Sequence, residues 1–188
     1  MHHNNDNKFV IDDENFNIIP GAPIAYWIGN FKIFDLEKIE QKYVSGGRTK
    51  THNNDKYVRK WWEVENYKRW QPYANGGEFR KWYGNNFDVV DWSQEATELY
   101  ASKGGLYNKK FVGKSGICWN LITSAKNGFR IKESEFHYSS GSPTIFSDQK
   151  SSDSMYLGFL NSIVSYYLLQ VINPTINTTV NSVLCLPF

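Results

Sequence analysis

At 188 residues, 40% of them hydrophobic, the chain has room for one domain with a core of its own. A net charge of +2, from 21 cations and 19 anions, does not by itself announce a polyanion binder. Two cysteines exclude a disulfide framework and zinc spacing, and they fit a reducing cytoplasm.

Residues 1–17 are rich in Asn and Asp and read as a polar tail or linker ahead of a domain over 18–188. The segment lacks the apolar core of a signal peptide. Pro23 suits the first position of a helix, and Ile24, Trp27, Ile28 and Phe31 recur at helical spacing, which predicts a short helix to about Phe34. Residues 36–44 are ambiguous between a helical turn and a strand, and 45–56 read as a loop. "YVRKWWEVE" alternates as a strand with no purely apolar face, and a shorter strand near Trp70 follows. "GGEFRKWYGNNFDVVDW", residues 76–92, reads as a hairpin turned at Asn85-Asn86, because Asn tolerates positive φ.

Ser93 caps a predicted short helix that stops at Gly104-Gly105. Residues 115–133 read as a second hairpin turned at Asn127-Gly128. "SPTIFS" reads as a short strand. Residues 151–172 read as one long helix, capped at Ser152 or Ser154 and ended by Asn173-Pro174. "TTVNSVLCLPF" reads as a final strand. The predicted class is α+β, with antiparallel hairpins and mixed sheet between a short N-terminal helix and a long C-terminal one.

The chain carries no Walker A motif, G-x-G-x-x-G, H-E-x-x-H or G-x-S-x-G elbow. Cys118 with His52 or His137 is the one nucleophile-base pairing to consider, and Cys118 sits in an apolar run that reads as buried. No catalytic residue and no metal site are assigned.

The charge distribution says more. From Lys42 to Lys81 there are ten cations against four anions. Arg48, Lys50, Thr51, His52, Asn53, Asn54 and Lys56 form a basic polar loop, and Arg59 follows in the strand. Lys and Arg neutralise phosphates, while Asn can pair with an adenine edge. Arg80, Lys81, Trp82, Tyr83, Asn85 and Asn86 add cations beside rings, which suits an anionic surface with exposed base faces. Arg130 is a weaker candidate. Taken singly, Trp61, Trp62, Trp82 and Trp92 favour the core.

"IPGAPIAYWI", "YVRKWWEV", "GGEFRKWYGNN" with "VVDW", "ICWNLITSAKNGFR" and "LGFLNSIVSYYLLQVINPTIN" occur in that order. Together they resemble large adenine-specific DNA methyltransferases, those of BREX phage-defence systems related to type IIG restriction-modification enzymes. The loop departs from relatives that carry glycines near the positions of Arg48 and His52. The resemblance implies a target-recognition domain that reads double-stranded DNA. It also implies S-adenosylmethionine as cofactor of the full-length enzyme, bound outside this chain. This sequence has no Asn-Pro-Pro-Tyr and no glycine-rich cofactor loop, so it reads as a fragment not expected to be catalytic alone. The catalytic methyltransferase domain and other defence-system subunits are the further partners implied, with no membrane. The alternative reading is a protein-interaction module that docks a partner subunit through the aromatic segment.

Overall fold

The computed structural model describes residues 12–147 and 153–188. Its strands are β1 (Val44–Ser45), β2 (Val58–Lys60), β3 (Trp70–Ala74), β4 (Asp88–Asp91), β5 (Gly116–Cys118), β6 (Arg130–Lys132), β7 (His137–Tyr138) and β8 (Thr144–Phe146). Its α-helices are α1 (Asn54–Tyr57), α2 (Gln94–Ser102), α3 (Asp153–Leu160), α4 (Ile163–Ile172) and α5 (Val180–Leu184). The class is α+β, built on two four-stranded sheets of order β1-β8-β5-β6 and β2-β4-β3-β7. Every pairing is antiparallel except β3 with β7.

The main core lies between the first sheet, the C-terminal helices and the N-terminal turns. Ile117, Trp119, Phe129 and Ile145 meet Leu157, Leu160, Leu168 and Val183 there, with Ile19, Phe34 and Ile39 closing it. A second cluster sets Tyr73 and Val90 of the other sheet against Ala96 and Tyr100 of α2. Tyr107, Phe111, Tyr138 and Phe146 tie the two sheets together.

Several elements differ from the sequence expectation. No α-helix forms over 23–34. Ala22 turns at φ +46°, Asn30 accepts from Lys32 N at 3.1 Å, and only a 3-10 turn, Phe31–Asp35, follows. Ile28 is buried, but Ile24 and Trp27 are exposed. The strand at 57–65 is cut to β2, because Glu63 reaches back to Lys60 N at 2.7 Å and folds Trp61–Glu63 into a 3-10 turn.

The hairpin at 76–92 is absent. β4 runs between β2 and β3, since a strand with Val89 and Val90 both buried needs neighbours on two sides. Trp82 instead bridges to Arg130 at the edge of the first sheet. β5 and β6 pair antiparallel as expected, yet residues 119–129 intervene and Asn127-Gly128 is not their turn.

The long helix is broken into α3 and α4, bent by 69°. Asn161 causes the break. Its amide is engaged by Phe129 N and O (3.1 and 2.9 Å) and Leu157 O (3.1 Å), while Ser162 caps α4 by accepting from Ser165 N at 3.2 Å. Of the two expected caps, Ser154 lies inside α3 and does not cap it, and Ser152 lies outside the described residues. The expected final strand is α5, because Thr179 accepts from Ser182 N at 3.2 Å and starts a helix; only Pro187 keeps a strand-like bridge, to Lys38. No single described helix is long and apolar enough to cross a membrane.

Candidate nucleic-acid interface

Residues 46–57 leave β1, run beside β7 and cross to β2. Thr49 N donates to Tyr138 O (3.1 Å) and Ser140 N donates to Thr49 O (3.3 Å), so the loop adds one parallel rung beyond β7. Lys50 N donates to Gly105 O at 2.8 Å. A Cβ on Gly105 would lie 2.3 Å from Lys50 O, so only glycine admits this approach. His52 turns the chain at φ +61°, and Asn53 caps α1 by accepting from Lys56 N at 3.0 Å. Thr51 Oγ1 donates to Asn54 Oδ1.

The predicted contacts of this loop thus divide. Thr49 and Thr51 are buried and hold the loop; Arg48, His52, Asn53, Asn54 and Lys56 are exposed, and Lys50 is half-buried. Arg59 lies half-buried over the Trp70 ring at 5.9 Å, its guanidinium on the carbonyls of Asp55 and Val58. Beneath the loop opens a cleft of about 760 Å³, walled by Thr49–Asp55 and floored by Tyr73, Asn75 and Ser139–Gly141. Thr49 Oγ1 is buried there without a hydrogen-bond partner, which costs about 1–3 kcal/mol.

Residues 76–87 lead from the carboxyl end of β3 to β4. Asn85, at φ +63°, is buried and donates to Glu78 O at 2.8 Å, so it shapes the segment from inside; Asn86 is half-buried. Trp82 N donates to Phe129 O (2.8 Å) and Ile131 N to Trp82 O (3.0 Å). These bonds pin Trp82 at φ +71°, a strained conformation for a bulky residue. Its ring stays exposed, as does that of Tyr83. Arg80 is exposed, with only Glu78 near it at 3.9 Å. Lys81 turns inward, its ammonium donating to Asn161 O at 2.8 Å. Arg130 is placed inside, 2% exposed, with its guanidinium on Asn120 Oδ1 (3.1 Å) and Gly128 O (3.4 Å). It braces the segment, since Asn120 Nδ2 in turn donates to Gly77 O at 2.7 Å.

The preference of single tryptophans for the core fails at three of four positions. Trp61 and Trp62 are 49% and 58% exposed and, with Phe87, form a chain of edge-to-face rings at 5.5 and 6.2 Å. Trp82 is the third. They sit at the end of the sheet where residues 76–87 enter β4, beside the cross-strand ion pair of Lys60 and Asp88 (2.6 Å). The exposed ring cluster at Trp61, Trp62 and Phe87 escaped residue-by-residue reading; the adjacent tryptophans at the end of a strand were its only signal. Trp92 does pack inward, stacked on His137 at 3.6 Å.

Charge pairing sharpens the surface. Among the described residues, ion pairs engage Lys42, Lys60, Arg69 and, weakly, Arg80, while Arg48, Lys50 and Lys56 have no carboxylate partner. Asp91 is taken up by Arg69 (2.6 and 3.1 Å) and Ser93 N (3.0 Å). Burial alone would raise its pKa, but these bonds outweigh burial and lower it. Burial pushes His137 down to about 4 and its Nδ1 pairs with Tyr107 OH at 2.8 Å, so its partners are Tyr107 and Trp92 and not Cys118. Burial also pushes the Cys118 thiol up, away from a nucleophilic thiolate.

No protein-family profile matches the chain. It is 30% identical over 199 residues to the adenine-specific methyltransferase PglX of Lacticaseibacillus casei (strain Zhang), covering 92% of this chain and 17% of that protein. It is 30% identical over 184 residues to the adenine-specific methyltransferase BrxX of Escherichia coli O9:H4 (strain HS), covering 89% of this chain and 15% of that protein. Along nearly all of its length the chain is therefore a relative of one segment of adenine-specific methyltransferases, a segment of about a sixth of their length.

Proposed function

We propose that the chain is a target-recognition domain that binds duplex DNA for an adenine-specific methyltransferase. The observation that carries this reading is the polar cleft under residues 49–55: Lys50 and one carboxylate, Asp55, line it, and neither Lys50 nor the flanking Arg48 and Lys56 is held in an ion pair. Arg48, Lys50 and Lys56 hold phosphates, where each contact releases counterions. Asn53 and Asn54 read base edges. The Oδ1 of each already accepts one bond, from Lys56 N and Thr51 respectively, which fixes the amide plane and aims its NH2 donor. Arg80, Trp82 and Tyr83 extend the contact along the duplex.

Methyl transfer from S-adenosylmethionine belongs, in this reading, to the remainder of a longer enzyme. The residues here do not fit that cofactor. Among the described residues β4 runs into the α-helix α2, but it turns at Trp92-Ser93 without a glycine, and its carboxylate Asp91 is occupied by Arg69.

Fluorescence anisotropy with a labelled duplex tests the reading. Affinity is expected to fall steeply with salt, and Arg48→Gln, Lys50→Gln and Lys56→Gln each to reduce the slope of log K against log salt by about 0.9. A flat salt dependence, or a triple variant that binds like the parent, sinks it.

A second reading rests on Trp61, Trp62 and Phe87, a ring cluster of the kind that anchors protein partners. Here the partner is the catalytic part of the methyltransferase. W61A/W62A is then expected to lose that association and keep duplex affinity; loss of duplex affinity instead assigns the rings to DNA.

A further inference from the structure

We propose that the cavity at the break between α3 and α4 is a phosphate-sized anion site, with Lys81, Lys126 and Asn127 as its ligands. The cavity measures about 120 Å³. Two lysines line it and none of its lining residues is a carboxylate. The Lys81 ammonium is anchored on Asn161 O at 2.8 Å, and the Lys126 ammonium lies 5.4 Å from the Tyr166 ring. Neither contact cancels a positive charge.

Asn127 is the observation that asks for a ligand. Both its amide atoms are shut off from solvent, and neither has a hydrogen-bond partner. Buried polar atoms are nearly always paired, so an unpaired amide beside a cavity lined by two lysines marks a missing partner. The neighbouring amide of Asn161 is not available, because Phe129 and Leu157 consume it. α4 begins at the same cavity, and Ser162 caps only the N–H of Ser165. The N–H groups of Ile163 and Val164 precede the first helical bond and add a positive end to the site. Two ammonium groups, an amide donor and a helix start select an oxyanion over water.

Gly128 holds the arrangement together. A Cβ there would lie 2.3 Å from Arg80 O, so the Asn127-Gly128 pair serves close packing against residues 80–82 instead of a hairpin turn. The anion site thus adjoins the segment already assigned to DNA. A backbone phosphodiester or a free phosphate satisfies the same chemistry, and the assignment of the former rests on the DNA reading.

The test titrates inorganic phosphate into the full chain, followed by amide chemical shifts and calorimetry, for the parent, Lys126→Gln and Asn127→Asp. Asn127→Asp keeps size and shape but puts a carboxylate in the site. Phosphate is expected to shift the resonances of Lys126, Asn127 and Ile163, with at least tenfold weaker binding in both variants, and Lys126→Gln, at an exposed position, is expected to keep the parent's thermal midpoint. A parent that shows no phosphate-dependent shifts, or variants that bind phosphate as the parent does, overturns the site, whatever the chain does with DNA. If phosphate binds and Lys126→Gln also lowers the salt slope of duplex binding by about 0.9, the anion is a DNA phosphate. If phosphate binds while duplex does not, the site stands for free phosphate and the DNA reading falls.

Discussion

Trp82 is held where tryptophan is disfavoured, at φ +71°, by two backbone bonds to the strand beside it. A left-handed conformation costs a non-glycine residue about 1–2 kcal/mol. Trp82→Gly is therefore expected to be more stable than Trp82→Ala by about 1 kcal/mol in urea unfolding, and both to bind duplex less tightly than the parent. Equal stability of the two variants contradicts the strain.

Two buried bases set the pH dependence. Burial pushes His137 from 6.5 down to about 4, so the unfolded chain binds its proton first as pH falls. Stability is then expected to drop by roughly 3 kcal/mol between pH 6.5 and 4, at about 1.4 kcal/mol for each pH unit between those two values. Burial lowers Lys132 from 10.5 to about 8, so stability is expected to rise with pH from 8 towards 10. His137→Phe should flatten the acid limb and Lys132→Met the alkaline one, both read by urea unfolding against pH; limbs unchanged in these variants would refute the assignment. In the sequence, His137 and Lys132 looked like ordinary polar residues near strands. Their burial comes from pairings across the two sheets that no local pattern announces. The exposure of Arg48, His52 and Lys56 was legible because a long polar loop has nowhere to hide them, whereas Arg130 alternates inward with its strand.

Among the elements, α2, β3 and β8 were readable because a cap, an alternation or a turn signal lay within a few residues. The β5–β6 pair was readable in partners but not in turn. The hairpin at 76–92 failed for a non-local reason: β4 finds its neighbours in β2 and β3, and Trp82 finds its own in β6. The single long helix failed at one residue. Asn161 fits an apolar helical stretch well enough by propensity, but its amide closes on Phe129, far along the chain. Asn161→Leu is expected to cost about 2–4 kcal/mol in urea unfolding, since it leaves a buried backbone N–H and C=O unpaired. A loss below about 0.5 kcal/mol would mean that the break in the helix is set elsewhere.

At the scale of the molecule, the two sheets bring the loop over 48–56 and the first residues after β3, Asn75 and Gly76, to the same turn at Ser139–Gly141, although the two are separate in sequence. The link is the end of β3: Ser139 N donates to Ala74 O at 2.9 Å beneath the first, and Asn120 grips Gly77 beneath the second. The family likeness was legible in ordered motifs, and the α+β class in the mix of caps and strands. The cleft itself was not, because it exists only once β7 pairs parallel to β3 and carries Ser139–Gly141 beneath the loop.

The central claim is that this segment chooses the DNA site. Placing it in the Lacticaseibacillus casei methyltransferase in place of that enzyme's corresponding segment, and mapping methylated adenines in cells that carry the chimera, tests that claim most directly. Methylation is predicted at a sequence different from that of the parent enzyme, lost again in the chimera with Asn53→Ala and Asn54→Ala. An active chimera that still methylates the parent's own site would contradict it.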